Sequence, residues 1–257
     1  MSALGMALHQ YRYDQKQFWR EPASVFFTAV LPLIFLVLFV AIFGNDTTKV
    51  GGHEIKTSTY YLPAILTLAC VNSTFVNLTI WVTIARDRGQ LKRLRATPVP
   101  PWAVVAGRAL SALAIAAVMT VLVCGFGVIF YGISLPDNAL PGALVTLVVA
   151  VLAFAALGFA AAALVPSENA ATPIAQAIVL PLEFISGIFV PADQIPQWML
   201  DVAGVFPIKP AFAALLHAFG PNTTGLGFQW GNLAILAAWG IVGTAVALRF
   251  FRWSPKR

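Results

Sequence analysis

Glu183 is the only acidic residue that the sequence places inside a long apolar run. A charged side chain in the middle of a bilayer costs several kcal/mol, so such a residue normally faces a cavity or a partner. Two roles therefore stay open for Glu183. It contacts a polar or cationic ligand in a cavity, or it is a neutral carboxyl group that is hydrogen-bonded to the second apolar run.

The sequence offers little support for a catalytic, metal-binding or nucleotide-binding site. The three histidines, His9, His53 and His217, lie in or near loops, and no Ser/His/Asp set, HExxH motif or Cys/His cluster is present. Cys70 and Cys124 lie in the middle of apolar runs and read as packing residues. The chain also lacks the GxxxxGK[ST] loop that binds nucleotides. We therefore predict no catalytic site, no metal site and no bound cofactor on this chain.

The densest basic stretch is residues 86–100, RDRGQLKRLRATPVP, in which five of fifteen residues are Arg or Lys. The pattern predicts a polar helix of about three turns over 86–95, ended by Thr97 and Pro98. Leu91 and Leu94 lie on one side of this helix. Two interpretations stay open: the basic loop only fixes the topology, or the helix docks to a soluble partner.

Apolar runs of membrane-spanning length dominate the rest of the chain. Of its 257 residues, 59% are hydrophobic and 10% are charged, and the mean hydropathy is +0.82. Soluble domains carry about 25% charged residues, so this is an integral membrane protein. The six runs of about 20 residues or more are Ser24–Phe43, Tyr60–Ala85, Trp102–Tyr131, Pro141–Val165, Thr172–Val190 and Trp230–Phe251.

The formal charge of +6 is concentrated at one side of the membrane rather than arranged for nucleic acid. Basic residues cluster in the N-terminal arm, in the 86–95 loop and after residue 248, whereas the alternate loops hold few. Because cytoplasmic loops collect Lys and Arg, we expect both termini in the cytoplasm.

Three segments outside the runs have distinct patterns. Residues 3–20 repeat apolar side chains at helical spacing and predict an amphipathic helix on the membrane surface. The 44–59 loop is short and mixed, so no folded outer domain is expected. Residues 191–229 combine five prolines with a short apolar run, which predicts a re-entrant helical hairpin between spans five and six. The expected fold is all-α with six transmembrane helices.

Two blocks of the chain carry a family resemblance. Arg86, Asp87, Gly89, Leu91, Leu94, Thr97 and Pro98 match the motif R-[DE]-x-G-x-L-x-x-L-x-x-T-P. The segment from Pro181 to Pro191, followed by Pro196, Trp198 and Pro207, matches a second pattern, P-x-x-x-x-S-G-x-x-x-P…P-x-W…P. Both blocks and the topology resemble ABC type-2 transporter permeases, the membrane subunits of bacterial drug, lipid and polysaccharide exporters. Ala85 and Gln90 depart from residues that are common in that family.

The resemblance implies an ATP-driven efflux pump for an amphipathic drug or lipid-like substrate, with roles in multidrug export and antibiotic resistance. A separate ABC ATP-binding subunit would bind ATP and Mg. Two permease copies, or a permease and a sister permease, would join two ATPase subunits in the plasma membrane, among its lipids. The implied parts of the single domain 1–257 are a connecting helix at 1–22, a coupling helix at 86–98 and the hairpin at 191–229. The implied ATPase-coupling residues are Arg86, Asp87, Gly89, Leu91, Leu94, Arg95, Thr97 and Pro98.

The resemblance also implies a central cavity lined by spans two and five. The candidate cavity residues are Asn72, Phe75, Asn77, Thr79 and Glu183, and the candidate outer gate is Ile188 and Phe189. For the polar residues of span two, hydrogen bonding between helices is an equal alternative. The competing function is a proton-coupled secondary transporter with Glu183 as the proton carrier, although the matching halves that such a protein would need are not visible.

Overall fold

The computed structural model describes residues 3–45, 47–50, 53–95, 101–220, 223 and 225–250. Thr97 and Pro98 lie outside these residues. The helices are α1 Ala3–Arg20, α2 Pro22–Val25, α3 Leu31–Phe43, α4 Thr57–Val71, α5 Asn77–Asp87, α6 Gln90–Arg95, α7 Pro101–Tyr131, α8 Leu140–Leu164, α9 Glu168–Ile185, α10 Gln197–Val205, α11 Ile208–Phe219 and α12 Trp230–Phe250. Two π-helical segments, Phe26–Val30 and Asn72–Val76, join α2 to α3 and α4 to α5, and a 3₁₀ turn spans Ala192–Gln194.

Among the described residues, five helical stretches are long and apolar enough to cross a membrane. They are Phe26–Phe43, Thr57–Asp87, Ala106–Tyr131, Leu140–Leu164 and Trp230–Phe250. The count rises to six if α10 and α11, which are bent by 100°, form one broken span. The predicted fifth span falls on α9, which fails this test because Glu168, Gln176 and Glu183 dilute its apolar residues. The predicted all-α membrane fold is confirmed, with five to six candidate spans.

The stretch Thr57–Asp87 is the centre of the bundle. In its most apolar window 78% of the residues are buried, against 17–56% in the other four. Its buried hydroxyl groups are satisfied mainly within the helix: Thr67, Thr74 and Thr83 donate to carbonyls four residues earlier, at 2.5–2.9 Å. This local bonding satisfies these buried hydroxyl groups without a partner from another helix.

The end of the bundle that is remote from α6 carries the irregular structure. Thr47–Val50 and His53–Lys56 pair as an antiparallel β-hairpin, with Thr47 opposite Lys56. Sequence patterning assigned this segment to a plain loop, because four-residue strands are too short to show a clear alternation. The bend between α10 and α11 lies deeper in the bundle, because Pro207 lines a cavity with Val71 of the central stretch. There the indole of Trp239, halfway along α12, donates to the Val205 carbonyl at 2.7 Å.

Helix α1 is fastened to α7 by a buried ion pair. The Arg108 Nε atom lies 3.1 Å from the Asp14 Oδ2 atom, and the two side chains are 12% and 0% exposed. Gln10 donates to Asp14 at 2.8 Å, and the Arg108 guanidinium stacks 3.4 Å from the centroid of the Trp81 ring. Burial raises the pKa of Asp14, and the neighbouring Arg108 and Gln10 oppose that rise because they favour the carboxylate.

The Asp14→Asn variant is expected to lower the free energy of unfolding by about 3 kcal/mol, because it leaves Arg108 buried without a counter-charge. Thermal unfolding in detergent measures the loss. Glu21→Gln is the matched control, since Glu21 is an exposed carboxyl just beyond the end of α1. The Asp14→Asn/Arg108→Gln double variant should recover part of the stability. Equal stability of Asp14→Asn and Glu21→Gln would show that the ion pair does not hold α1.

Candidate functional site

A cavity of about 490 Å³ lies where the first span, the central stretch and α9 meet. Its walls are mostly apolar, with a few amides, one hydroxyl and one carboxyl group. The described residues that line it are Ala23, Phe27, Thr28, Leu31, Pro32, Phe35, Leu68, Ala69, Asn72, Val76, Asn77, Ile80, Gln176, Leu180, Glu183 and Phe189.

Glu183 is the only ionisable side chain among these described lining residues. The residue is 2% exposed, and the Nδ2 atom of Asn72 lies 3.5 Å from its Oε1 atom. Asn72 also donates to the Leu68 carbonyl at 3.0 Å. The carboxyl group therefore has one protein donor at the limit of hydrogen-bond distance, so it retains capacity to accept a bond from a molecule in the cavity.

Three of the five predicted cavity residues are brought together here: Asn72, Asn77 and Glu183. Asn72 and Asn77 are five residues apart, a spacing that would splay them on an α-helix. The π-helical segment Asn72–Val76 lies between them, and its i→i+5 bonding places residues five apart on nearly the same face. The π-segment is thus the reason that both amides reach the cavity.

The other two predicted cavity residues lie elsewhere. Phe75 lines a separate apolar cavity of about 150 Å³, together with Phe206 and Trp239. Thr79 is fully buried against α8, where its hydroxyl lies 2.7 Å from the Phe75 carbonyl and 3.3 Å from the Gly158 carbonyl. Both therefore stabilise the packing of the central stretch against α8 and its neighbours.

Sequence reasoning missed Gln176 and Thr28, the other polar residues that line the cavity. Gln176 was detectable, because it lies seven residues before Glu183 and therefore two turns away on the same helical face. Thr28 gave no such signal. It lies in the π-helical segment Phe26–Val30, and only the tertiary packing brings that segment to the cavity.

The predicted outer-gate pair is divided between two environments. Ile188 is fully buried in the core, whereas Phe189 lines the cavity. The Phe189 ring lies 4.7 Å from that of Phe184 and 5.9 Å from that of Phe39, measured between centroids. The Tyr61 hydroxyl donates to the Phe189 carbonyl at 3.3 Å. An aromatic cluster thus bounds the cavity at the end remote from α6.

The turn that carries this pair depends on glycine. Gly187 has φ +86°, a left-handed conformation that other residues adopt at a cost. The Tyr60 hydroxyl donates to its carbonyl at 2.5 Å. Together these features end α9 at Ile185 and turn the chain towards Phe189.

The predicted coupling helix begins later than expected. Helix α5 continues to Asp87, Gly89 takes φ +68°, and α6 starts at Gln90. Leu91 is 2% exposed and packs in a cluster with Val82, Phe159 and their neighbours, so it holds α6 against α5 and α8. It does not lie on the exposed face of α6, which instead presents Gln90, Lys92 and Arg93.

Arg86 and Asp87 also point inwards. Arg86 is 2% exposed, and its guanidinium donates to carbonyl groups at the end of α8 and in the loop that follows. Asp87 pairs with Arg86 at 3.0 Å and accepts a 2.7 Å bond from the backbone N–H of Glu168. At this end only Arg88 of the motif's first three residues is exposed, paired with Glu168 at 3.0 Å.

Comparison with known families identifies the chain. The family model described as ABC-2 type transporter matches residues 11–219, well over half of the 257 residues. None of the curated protein sequences matches the chain. The matched region contains the cavity, the aromatic cluster and the α5–α6 turn. This chain, a multi-pass helical membrane protein, therefore belongs to the ABC-2 type transporter family.

Proposed function

We propose that the chain is the membrane-spanning permease subunit of a bacterial ABC exporter, driven by a separate ATP-binding subunit. Family membership supports a permease that associates with an ABC ATPase. That partner would bind ATP and Mg, since the sequence has no nucleotide-binding loop. The proposed location is the plasma membrane. The basic α5–α6 end and the basic N-terminal arm favour a topology in which both termini lie in the cytoplasm.

The 490 Å³ cavity carries the proposal for the cargo. Its volume falls in the range of about 300–1,000 Å³ that suits drug-sized ligands. Apolar walls with one carboxyl group and a few amides suit an amphipathic molecule that has an apolar body and a polar or cationic group. A drug or a lipid-like compound of this kind is the proposed substrate of efflux.

Exposed side chains at the cavity support a dimer of permeases. Phe27 is 63% exposed and Leu180 is 45% exposed, and both line the cavity. The cavity therefore opens at the side of a single chain, and a second permease against this face would enclose it. Two permeases with two ATPase subunits would complete the assembly.

Reversing two charges on α6 is the test of the ATPase partnership. The Lys92→Glu/Arg93→Glu variant is expected to lose most of the bound ATPase, since these exposed cations would orient the docking. The tagged chain is purified in mild detergent from cells that co-express the ATPase encoded beside it. The Mg-dependent ATP hydrolysis of the purified sample then measures how much ATPase has remained bound. Lys56→Glu, at the opposite end of the bundle, is the matched control and should retain the ATPase.

Two results would contradict the proposal. Equal ATP hydrolysis by the α6 variant and the control would move the docking site away from α6. No ATPase with the native chain, together with transport that follows a proton gradient, would favour the secondary transporter in which Glu183 carries the proton.

A further inference from the structure

We propose that Arg86 and Asp87 are positioning residues that clasp α5 to the α8–α9 connection, so that a displacement of α6 is transmitted to α9 and to Glu183. This inference rests on the proposed function, because it assumes that an ATPase acts on the α6 end. It assigns these two motif residues to contacts inside the permease instead of to the ATPase surface.

Arg86 caps the C-terminal end of α8. Its Nη1 atom donates to the Ala162 carbonyl at 2.8 Å, and its Nη2 atom donates to the carbonyls of Val165 at 2.9 Å and Pro166 at 3.4 Å. Helix α8 ends at Leu164, so the Ala162 carbonyl belongs to its last turn, where carbonyl groups lack partners within the helix. A cation also complements the negative end of the helix dipole.

Asp87 caps the N-terminal end of α9. Its Oδ2 atom accepts the Glu168 backbone N–H at 2.7 Å, and Glu168 is the first residue of α9. Ser167, at the capping position, makes no side-chain cap hydrogen bond of its own. The cap therefore comes from another helix, 81 residues away in the sequence. An anion at this place also complements the positive end of the helix dipole.

Two adjacent residues thus hold both ends of one connection. Because Arg86 Nε and Asp87 Oδ1 are themselves paired at 3.0 Å, the cation at the end of α8 and the anion at the start of α9 form one unit. Arg86 is 2% exposed, so a partner protein cannot touch it without opening this unit. The contact with an ATPase is left to the exposed residues of α6.

The same helices carry the polar side of the cavity. Helix α9 starts at the clasp and brings Gln176 and Glu183 to the cavity, and α5 continues from the π-segment that carries Asn72. A displacement of α6 is therefore delivered to Asn72 and Glu183 together. The central stretch and α9 therefore move together as one body against the first span, which forms the opposite wall of the cavity.

The test measures coupling in the complete complex of permease and ATPase, reconstituted in vesicles with ethidium as an amphipathic cationic probe. Arg86→Lys keeps the charge but cannot bond three carbonyls with a planar fork. Asp87→Ala removes the cap of α9. Both variants are expected to retain the ATPase and its hydrolysis within about twofold, while ethidium moved per ATP hydrolysed falls at least tenfold. Arg88→Ala is the matched control, because it breaks only the exposed pair with Glu168.

A conservative variant and a second measurement separate transmission from a general loss of structure. Asp87→Asn keeps an oxygen that accepts the Glu168 N–H, so it should recover more ethidium transport per ATP than Asp87→Ala. Hydrogen exchange of the same complexes should show faster exchange at the first turn of α9 in Asp87→Ala but not in Arg88→Ala.

The outcomes are distinct. Unchanged ethidium transport per ATP in Arg86→Lys and Asp87→Ala would overturn the proposal, and so would an equal loss in Arg88→Ala. If the native complex hydrolyses ATP but moves no ethidium, the proposed cargo class fails. The hydrogen exchange of the α9 amides then still tests whether Asp87 holds the start of α9. Unchanged α9 exchange in Asp87→Ala would then overturn the proposal.

Discussion

Export by the Glu183→Gln variant is expected to fall at least tenfold, while ATP hydrolysis without cargo and thermal stability stay near native values. Glutamine keeps the shape and the hydrogen bond to Asn72 but removes the only ionisable group of the described cavity lining. A hydrogen bond to a charged group contributes about 1.5–3 kcal/mol, and 1.4 kcal/mol is a factor of ten in affinity. Uptake of a cationic dye into inside-out vesicles measures the change.

Glu168→Gln is the matched control for this variant. Glu168 is a carboxyl on the same helix, at the α6 end of the bundle, with 36% of its side chain exposed. It should leave dye transport within about twofold. Full transport by Glu183→Gln would show that the carboxyl is only a neutral, hydrogen-bonded part of the bundle. Dye transport that needs a proton gradient but no ATP, and that Glu183→Gln abolishes, would instead favour the secondary-transporter alternative.

The Gly158→Ala variant is expected to lower the free energy of unfolding by about 1–3 kcal/mol or more and to reduce the yield of folded protein. A Cβ atom at Gly158 would lie 2.9 Å from the Phe75 carbonyl oxygen and 3.1 Å from Leu78 Cβ. The nearest of these atoms belongs to the backbone, so α8 and the central stretch would have to separate. That separation also weakens the Thr79 bond to the Gly158 carbonyl. Small residues allow such close approach between membrane helices.

Gly125→Ala on α7 is the matched control, since a Cβ atom there meets nothing within 4 Å. It should be neutral or slightly stabilising, because Ala favours the helix over Gly by up to about 1 kcal/mol. Thermal unfolding in detergent and the monodisperse yield compare the two variants. Equal stability of Gly158→Ala and Gly125→Ala would mean that the contact between α8 and the central stretch is loose.

Local composition was enough to predict the class of this protein. Membrane spans depend on the length and apolarity of a continuous segment, so the sequence located all five stretches that meet this test. It also predicted a span on α9, which is less apolar than these five because Glu168, Gln176 and Glu183 lie along it. The motif at Arg86 and the block around Ser186 likewise identified the family, because both are short patterns of neighbouring residues.

The details of the site depend on interactions that no local pattern records. A π-segment places Asn72 and Asn77 on one face, whereas ideal helical spacing would have separated them. Arg86 and Asp87 looked like surface charges of a docking helix, since charged residues in a loop usually contact water or a partner. Their true partners lie 76–81 residues away, at the end of α8 and the start of α9.

The sequence by itself therefore determined a multi-pass helical permease with a basic end and one carboxyl group in an apolar run. Only the tertiary structure decided which polar residues share a cavity and which side chains cap the end of α8 and the start of α9. The physical reason is that membrane insertion is governed by each segment's own transfer free energy, whereas a cavity or a helix cap exists only between segments.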